Sequence, residues 1–187
     1  RRGHRAYQFV MPRPGDLRYT LKTAQHFDAL PSWKTVMLMS LDDRKEAFRD
    51  PATRAKLHFE AVETPLNPEN AGEFSRRWDL QFVFQPALAK NENLTGKSIA
   101  QIAEELDKDV LDTLLDLVVE ENLSTSFRNS QSGGDDDVMA EMLQSPYTMI
   151  GLSDAGAHVK FEAGYGYSSI VLGHWVRDQH AISLEEA

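Results

Sequence analysis

The chain has 187 residues, 41% of them hydrophobic, enough for one sizeable core or two small ones. Its 29 acidic residues outnumber 20 basic ones for a formal net charge of -9, and with no basic stripe to offset that excess nucleic-acid binding is disfavoured. It has no cysteine, no visible signal peptide and no membrane-length apolar run, which excludes disulfides and thiolate zinc sites and suggests a cytoplasmic protein away from membranes.

Ala6-Tyr7-Gln8-Phe9-Val10-Met11 reads as a buried strand that ends at Pro12-Arg13-Pro14-Gly15. A polar, aromatic-dotted connection leads to Leu30-Pro31, and from Ser32 to about Phe59 the pattern is helical in pieces. Asp50-Pro51 is the clearest punctuation, an N-cap followed by proline at the first helical position. Thr64 to Glu73 is rich in Pro, Asn and Gly and reads as loop. Trp78 to Gln85 is β-prone, with Leu80, Phe82 and Phe84 alternating against Gln81 and Val83 before Pro86.

Two amphipathic helices are the most regular features. Ser98 caps Ile99, Ile102, Ala103 and Leu106, and Asp109 caps Val110, Leu111, Leu114, Leu115 and Val118. These stripes read as core packing. Ser124 to Asp137 is polar and ends in Asp135-Asp136-Asp137. An EF-hand needs alternating ligands and a later glutamate, so this run reads as a loop entering a helix N-terminus, where acids favour the dipole. Val138 to Gln144 completes that helix.

Pro146 separates it from Tyr147-Thr148-Met149-Ile150, a short strand-like run. Gly151-Leu152-Ser153-Asp154-Ala155-Gly156-Ala157-His158 follows. In a parallel β/α protein the carboxyl ends of strands face the ligand, so an acid in this position is placed for chemistry. On the local pattern alone Asp154 is equally a turn residue or a short-helix cap. After an aromatic, glycine-spaced loop over Gly164-Tyr165-Gly166-Tyr167, Ser168 to Arg177 reads as a helix. Ser183 and Glu186 form the Ser-x-x-Glu of a capping box, and the chain reads as a piece of a longer protein.

Met149 through His158 resembles the final barrel strand of the amidohydrolase superfamily, specifically its N-acyl-D-amino-acid deacylase (D-aminoacylase) branch. Leu94-Thr95-Gly96-Lys97-Ser98-Ile99-Ala100-Gln101-Ile102-Ala103 is similar to the branch's Gly-Lys-Ser-Ile helix entry. Trp175-Val176-Arg177 with Ile182 to Ala187 resembles the stretch after the catalytic strand, and Asp42-Asp43-Arg44 through Asp50-Pro51-Ala52-Thr53-Arg54 has the same character.

The resemblance implies an α/β fold, the C-terminal part of a (β/α)8 TIM-type barrel with a largely helical insertion between the last two strands. Residues 1–31 would be the penultimate strand and its loop, 32–145 the insertion, and 146–187 the last strand, catalytic turn and following helix. The implied cofactor is zinc, held by a His-x-His pair on the first strand, a bridging acid, cysteine or carboxylated lysine, and histidines on the fifth and sixth strands. Only the last element matches here, Asp154, as proton shuttle for a zinc-activated water and candidate metal ligand. His4, His26, His58, His174 and His180 are scattered without ligand spacing, so the piece by itself is expected to lack stable zinc and activity.

Zinc lowers the pKa of its water, and a rim carboxylate can take that proton and return it to the leaving amine. His158 is a candidate to contact substrate or to orient Asp154. The branch carries an arginine for the substrate carboxylate after the aspartate; here Val159 to Tyr167 offers Lys160 instead. The expected activity is hydrolysis of a small-molecule amide C–N bond, as in an N-acyl-D-amino acid, with a homo-oligomer as one way to cover strand edges. Two alternatives stay open: a cyclic-amide hydrolase resembling dihydroorotases or hydantoinases, and a non-catalytic helical module over Ser32 to Gln144 in which Asp154 is only a turn.

Overall fold

The computed structural model describes residues 6–13, 16–67, 74–130, 135–151 and 166–187. The fold is mixed α/β, 50% helical against 12% strand, so helices supply most of the packing. In chain order the elements are β1 (Gln8–Val10), β2 (Asp16–Tyr19), α1 (Pro31–Met37), α2 (Leu41–Arg49) and α3 (Pro51–His58). Then come β3 (Gln81–Gln85), α4 (Ile99–Glu105), α5 (Val110–Glu120), β4 (Ser126–Ser130), α6 (Asp136–Gln144), β5 (Thr148–Ile150) and α7 (Tyr167–Ile170). A π-helical turn over Phe59–Glu63 extends α3, and another over Val171–Asp178 extends α7. Among the described residues no helix is long and apolar enough to cross a membrane.

The chain divides into two compact units, one running from Arg18 to Asn129 and the other drawn from the chain on either side of it. In the first, local chemistry sets the helix boundaries. Asp50 accepts from the Thr53 N–H at 2.8 Å with Pro51 at the first helical position, so the chain ends α2 and starts α3 at one residue. Ser98 and Gln101 form a reciprocal capping box, and the Asp109 carboxylate accepts from the N–H groups of Leu111 and Asp112. The apolar stripes then meet in a core containing Leu21, Phe27, Trp33, Phe48, Leu57, Leu114 and Val118. Phe27 stacks on Trp33 with ring centroids 4.1 Å apart, and the Trp33 indole N–H donates to the Leu57 carbonyl at 3.1 Å.

This unit is less purely helical than the sequence suggests. The segment from Ser124, which reads as polar loop, contains β4, the central strand of a sheet ordered β2-β4-β3. β4 pairs antiparallel with β3, Phe82 opposite Arg128 and Val83 opposite Phe127, with a bulge before Gln85. Only Phe127 in β4 presents a large apolar side chain to the core, so a hydrophobic pattern does not reveal the strand. In β3, Gln81 and Val83 are buried while Phe82 and Phe84 face outward. The inward Gln81 is satisfied by the Tyr19 hydroxyl, which donates to its side-chain oxygen at 2.9 Å.

Two buried charged groups in this unit are held by several hydrogen bonds each. Arg44 donates to the carbonyls of Leu21, Lys22, Met37 and Met39, joining the end of α1 to the turn before it. Glu121 accepts from the N–H groups of Ala87 and Leu88, the Asn91 amide and the Thr125 hydroxyl.

In the other unit, Asp135 caps α6 by accepting from the N–H groups of Asp137 and Val138, which gives the aspartate run its place at a helix N-terminus. Val171, Trp175 and Ile182 form its buried core, with Met139, Ala140, Leu143 and Ile150 packed against them. Ser183 and Glu186 make the capping-box contacts, the Ser183 N–H donating at 2.8 Å and the Glu186 N–H at 3.2 Å.

Candidate functional site

β1 and β5, far apart in sequence, pair in parallel: Gln8 with Thr148, Phe9 with Met149 and Val10 with Ile150. The Gln8 N–H donates to the Tyr147 carbonyl at 2.9 Å, and at the other end the Gly151 N–H reaches the Val10 carbonyl at 3.5 Å. The carboxyl ends of both strands therefore lie side by side. Beyond β1 the chain is pinned from the helix that follows β5, where the Trp175 indole N–H donates to the Pro12 carbonyl at 2.6 Å.

The glycine that follows β5 makes a close approach to the ring of Phe9. A β-carbon on Gly151 would stand 2.6 Å from Cδ1 and 2.8 Å from Cε1 of Phe9. Strand pleating separates two faces. Val10 is buried and Ile150 packs on the Trp175 core, whereas Phe9 and Met149 are 60% and 49% exposed. Parallel strands ordinarily lie buried on both faces, so this pair carries an apolar face with the character of an interior surface.

Asp154, His158 and Lys160, the three candidate site residues, lie outside the described residues. Gly151 is the last described residue before them. His4 is also outside the described residues.

Three of the other histidines, His26, His58 and His174, each have their own local setting. His26 sits against the rings of Tyr19, Phe27 and Phe74, its Nε2 shut off from solvent without a hydrogen-bond partner among the described residues, and burial holds its pKa down at about 3. His58 lies between two carboxylates, Nδ1 3.0 Å from Glu63 and Nε2 2.9 Å from Asp109. Partial burial pushes its pKa down, but the bonds to Asp109 and Glu63 outweigh that and raise it. His174 has Nε2 3.2 Å from Asp136 and its ring edge-on to Trp175.

Among the described residues no group of three His, Cys, Asp or Glu side chains could hold a metal ion. The described residues thus do not form a zinc site, and a metal would need donors from outside them. Sequence reasoning did not find the Trp175–Pro12 bond or the Phe9–Gly151 contact, since both depend on the pairing of distant strands. The only local signal is a glycine directly after a short apolar run.

No family model, curated protein or solved structure matches this chain.

Proposed function

We propose that this chain is the last part of a (β/α)8 barrel in a metal-dependent hydrolase that cleaves an amide C–N bond. The observation that carries the reading is the parallel, in-register pairing of β1 with β5. In a barrel, sequential strands are parallel neighbours with helices on the outer face and a side-chain-filled interior on the other. Two further features support it. One face of the pair is covered by α6 and the helix after β5, while Phe9 and Met149 stand on the open face. The Arg18–Asn129 unit is one continuous stretch between the two strands, as an insertion would be.

Asp154 follows closely on β5 in the sequence, at the end where parallel β/α proteins gather ligand groups. Its carboxylate takes a proton from the attacking water as the C–O bond forms and delivers it to the nitrogen as the C–N bond breaks. Lys160 is the cation for a substrate carboxylate, and His158 contacts substrate or orients Asp154. Zinc is the metal of this reading, but the described residues supply no site for it, so the share assigned to this chain is the proton transfer. A cytoplasmic location and a homo-oligomeric state belong to the same proposal.

The test is turnover by the intact protein on linear N-acyl-D-amino acids and on cyclic amides such as dihydroorotate and hydantoins, with Asp154→Asn alongside. Hydrolysis of the cyclic compounds alone assigns the protein to the cyclic-amide class. A second reading, a non-catalytic interaction module, is favoured by the continuous Arg18–Asn129 unit having its own core. Absence of hydrolysis across both substrate sets would leave that reading standing.

A further inference from the structure

The outward face of the β2-β4-β3 sheet carries an arrangement that the hydrolase reading does not use. The Arg18 guanidinium lies over the Phe84 ring, 3.9 Å from its centroid, and that of Arg128 lies over Phe82 at 5.0 Å. Since β4 stands between β2 and β3, Arg18 reaches across a strand to make its contact. Arg18 is exposed and Phe82, Phe84 and Arg128 are half-buried.

Most other described arginines in this acidic chain find oxygen partners, Arg13 excepted. Arg49, Arg54, Arg77 and Arg177 pair with carboxylates, and Arg44 with backbone carbonyls. Among the described residues, Arg18 and Arg128 have neither. A ring beneath a guanidinium engages its flat face, fixes its plane and leaves the edge N–H groups directed away, which lowers the entropy lost on capturing an anion bidentately. The free donors therefore suit planar oxyanions.

Spacing narrows the ligand. Phe82 and Phe84 stand two residues apart on one strand, about 6.6 Å. The same distance separates side chains on one face of an extended peptide. The net charge of -9 opposes any long polyanion, whether polyphosphate, nucleic acid or a continuous acidic run, so the ligand carries two anionic groups matched to the two guanidiniums. We propose that this face docks an extended acidic polypeptide segment with carboxylates at alternate residues, one on Arg18 and one on Arg128, over an apolar floor of Phe82 and Phe84.

The test is calorimetric titration of the 187-residue chain with two synthetic threonine-rich peptides of equal composition, each carrying two glutamates, separated by one residue (alternating) in the first and adjacent in the second. The alternating peptide is expected to bind the more tightly. Arg18→Gln and Arg128→Gln are each expected to weaken it about tenfold, one charged hydrogen-bonding partner's worth. Phe84→Leu, which removes a ring but no charge, is expected to weaken it too, while Arg177→Gln leaves it unchanged. Arg128→Lys keeps the charge without the fork and should fall between wild type and Arg128→Gln, which covers the case of a glutamine variant that does not fold. Absence of saturable binding, equal affinity for the two peptides, or indifference to both arginine substitutions would overturn the proposal. So would displacement of the peptide by equimolar inorganic phosphate or by vesicles of anionic lipid, which would assign the face to phosphate chemistry.

Discussion

The ring of Phe9 lies against Gly151 closely enough that a β-carbon there would stand 2.6 Å from its Cδ1. This contact couples β1 to the residue that follows β5, directly before the segment holding Asp154. Because Phe9 is 60% exposed, the ring has room to turn. Gly151→Ala is expected to cost about 1 kcal/mol, the scale of an off-rotamer side chain. Combining it with Phe9→Ala should remove that cost, and denaturant unfolding of the two single variants and the double variant measures the coupling. Equal costs with and without the ring would contradict the contact.

Glu121 is 2% exposed, yet its pKa is held down. Burial pushes it up, and the N–H of Ala87, the Asn91 amide, the Thr125 hydroxyl and the N–H of Leu88 outweigh that. Glu121→Gln is expected to lower stability by about 1–3 kcal/mol, since the replacement amide nitrogen is a donor facing donors. A folded pKa below the unfolded one means that this stabilisation is present above about pH 4.3 and lost as pH falls through the folded value. The difference in denaturation midpoint between wild type and variant should therefore shrink in acid.

His26 titrates with the opposite consequence from a paired histidine. With a folded pKa of about 3 against about 6.5 unfolded, the unfolded chain binds the extra proton between those values. Its contribution falls as pH drops below about 6.5, by up to about 1.4 kcal/mol per pH unit. His26→Phe should reduce the acid sensitivity in that window, as measured by urea unfolding at a series of pH values. An unchanged slope would mean that His26 is not the group responsible.

His58 runs the other way. Its raised pKa comes from Asp109 and Glu63, so its stabilisation is complete below about pH 6.5 and disappears as pH rises through the folded value. The thermal stability gap between wild type and His58→Gln is expected to be widest in mild acid and to narrow in alkali. A gap independent of pH would show that the imidazole packs there without carrying charge.

What could be read from the sequence was local. Asp50, Ser98 and Asp109 each cap a helix through atoms a few residues away, so the residue types announce the geometry. β1 and β5 were legible as apolar runs, but nothing local states that Phe9 stands opposite Met149. β4 was hidden because Arg128 and Ser126 face outward and Asn129 inward, leaving Phe127 as its only apolar signal. The His58 bridge was equally invisible, since Asp109 reads as a helix cap and serves as both cap and ion-pair partner. Asp154 stands out by its motif and its place after a strand, which is chemical information that needs no long-range contact.

Steady-state hydrolysis of N-acyl-D-amino acids and cyclic amides by the intact protein and by Asp154→Asn tests the proposed proton transfer most directly. Loss of a positioned proton shuttle is expected to lower turnover by about a hundredfold or more, with the thermal unfolding transition retained. Near-normal turnover by Asp154→Asn would mean that Asp154 is not the proton shuttle.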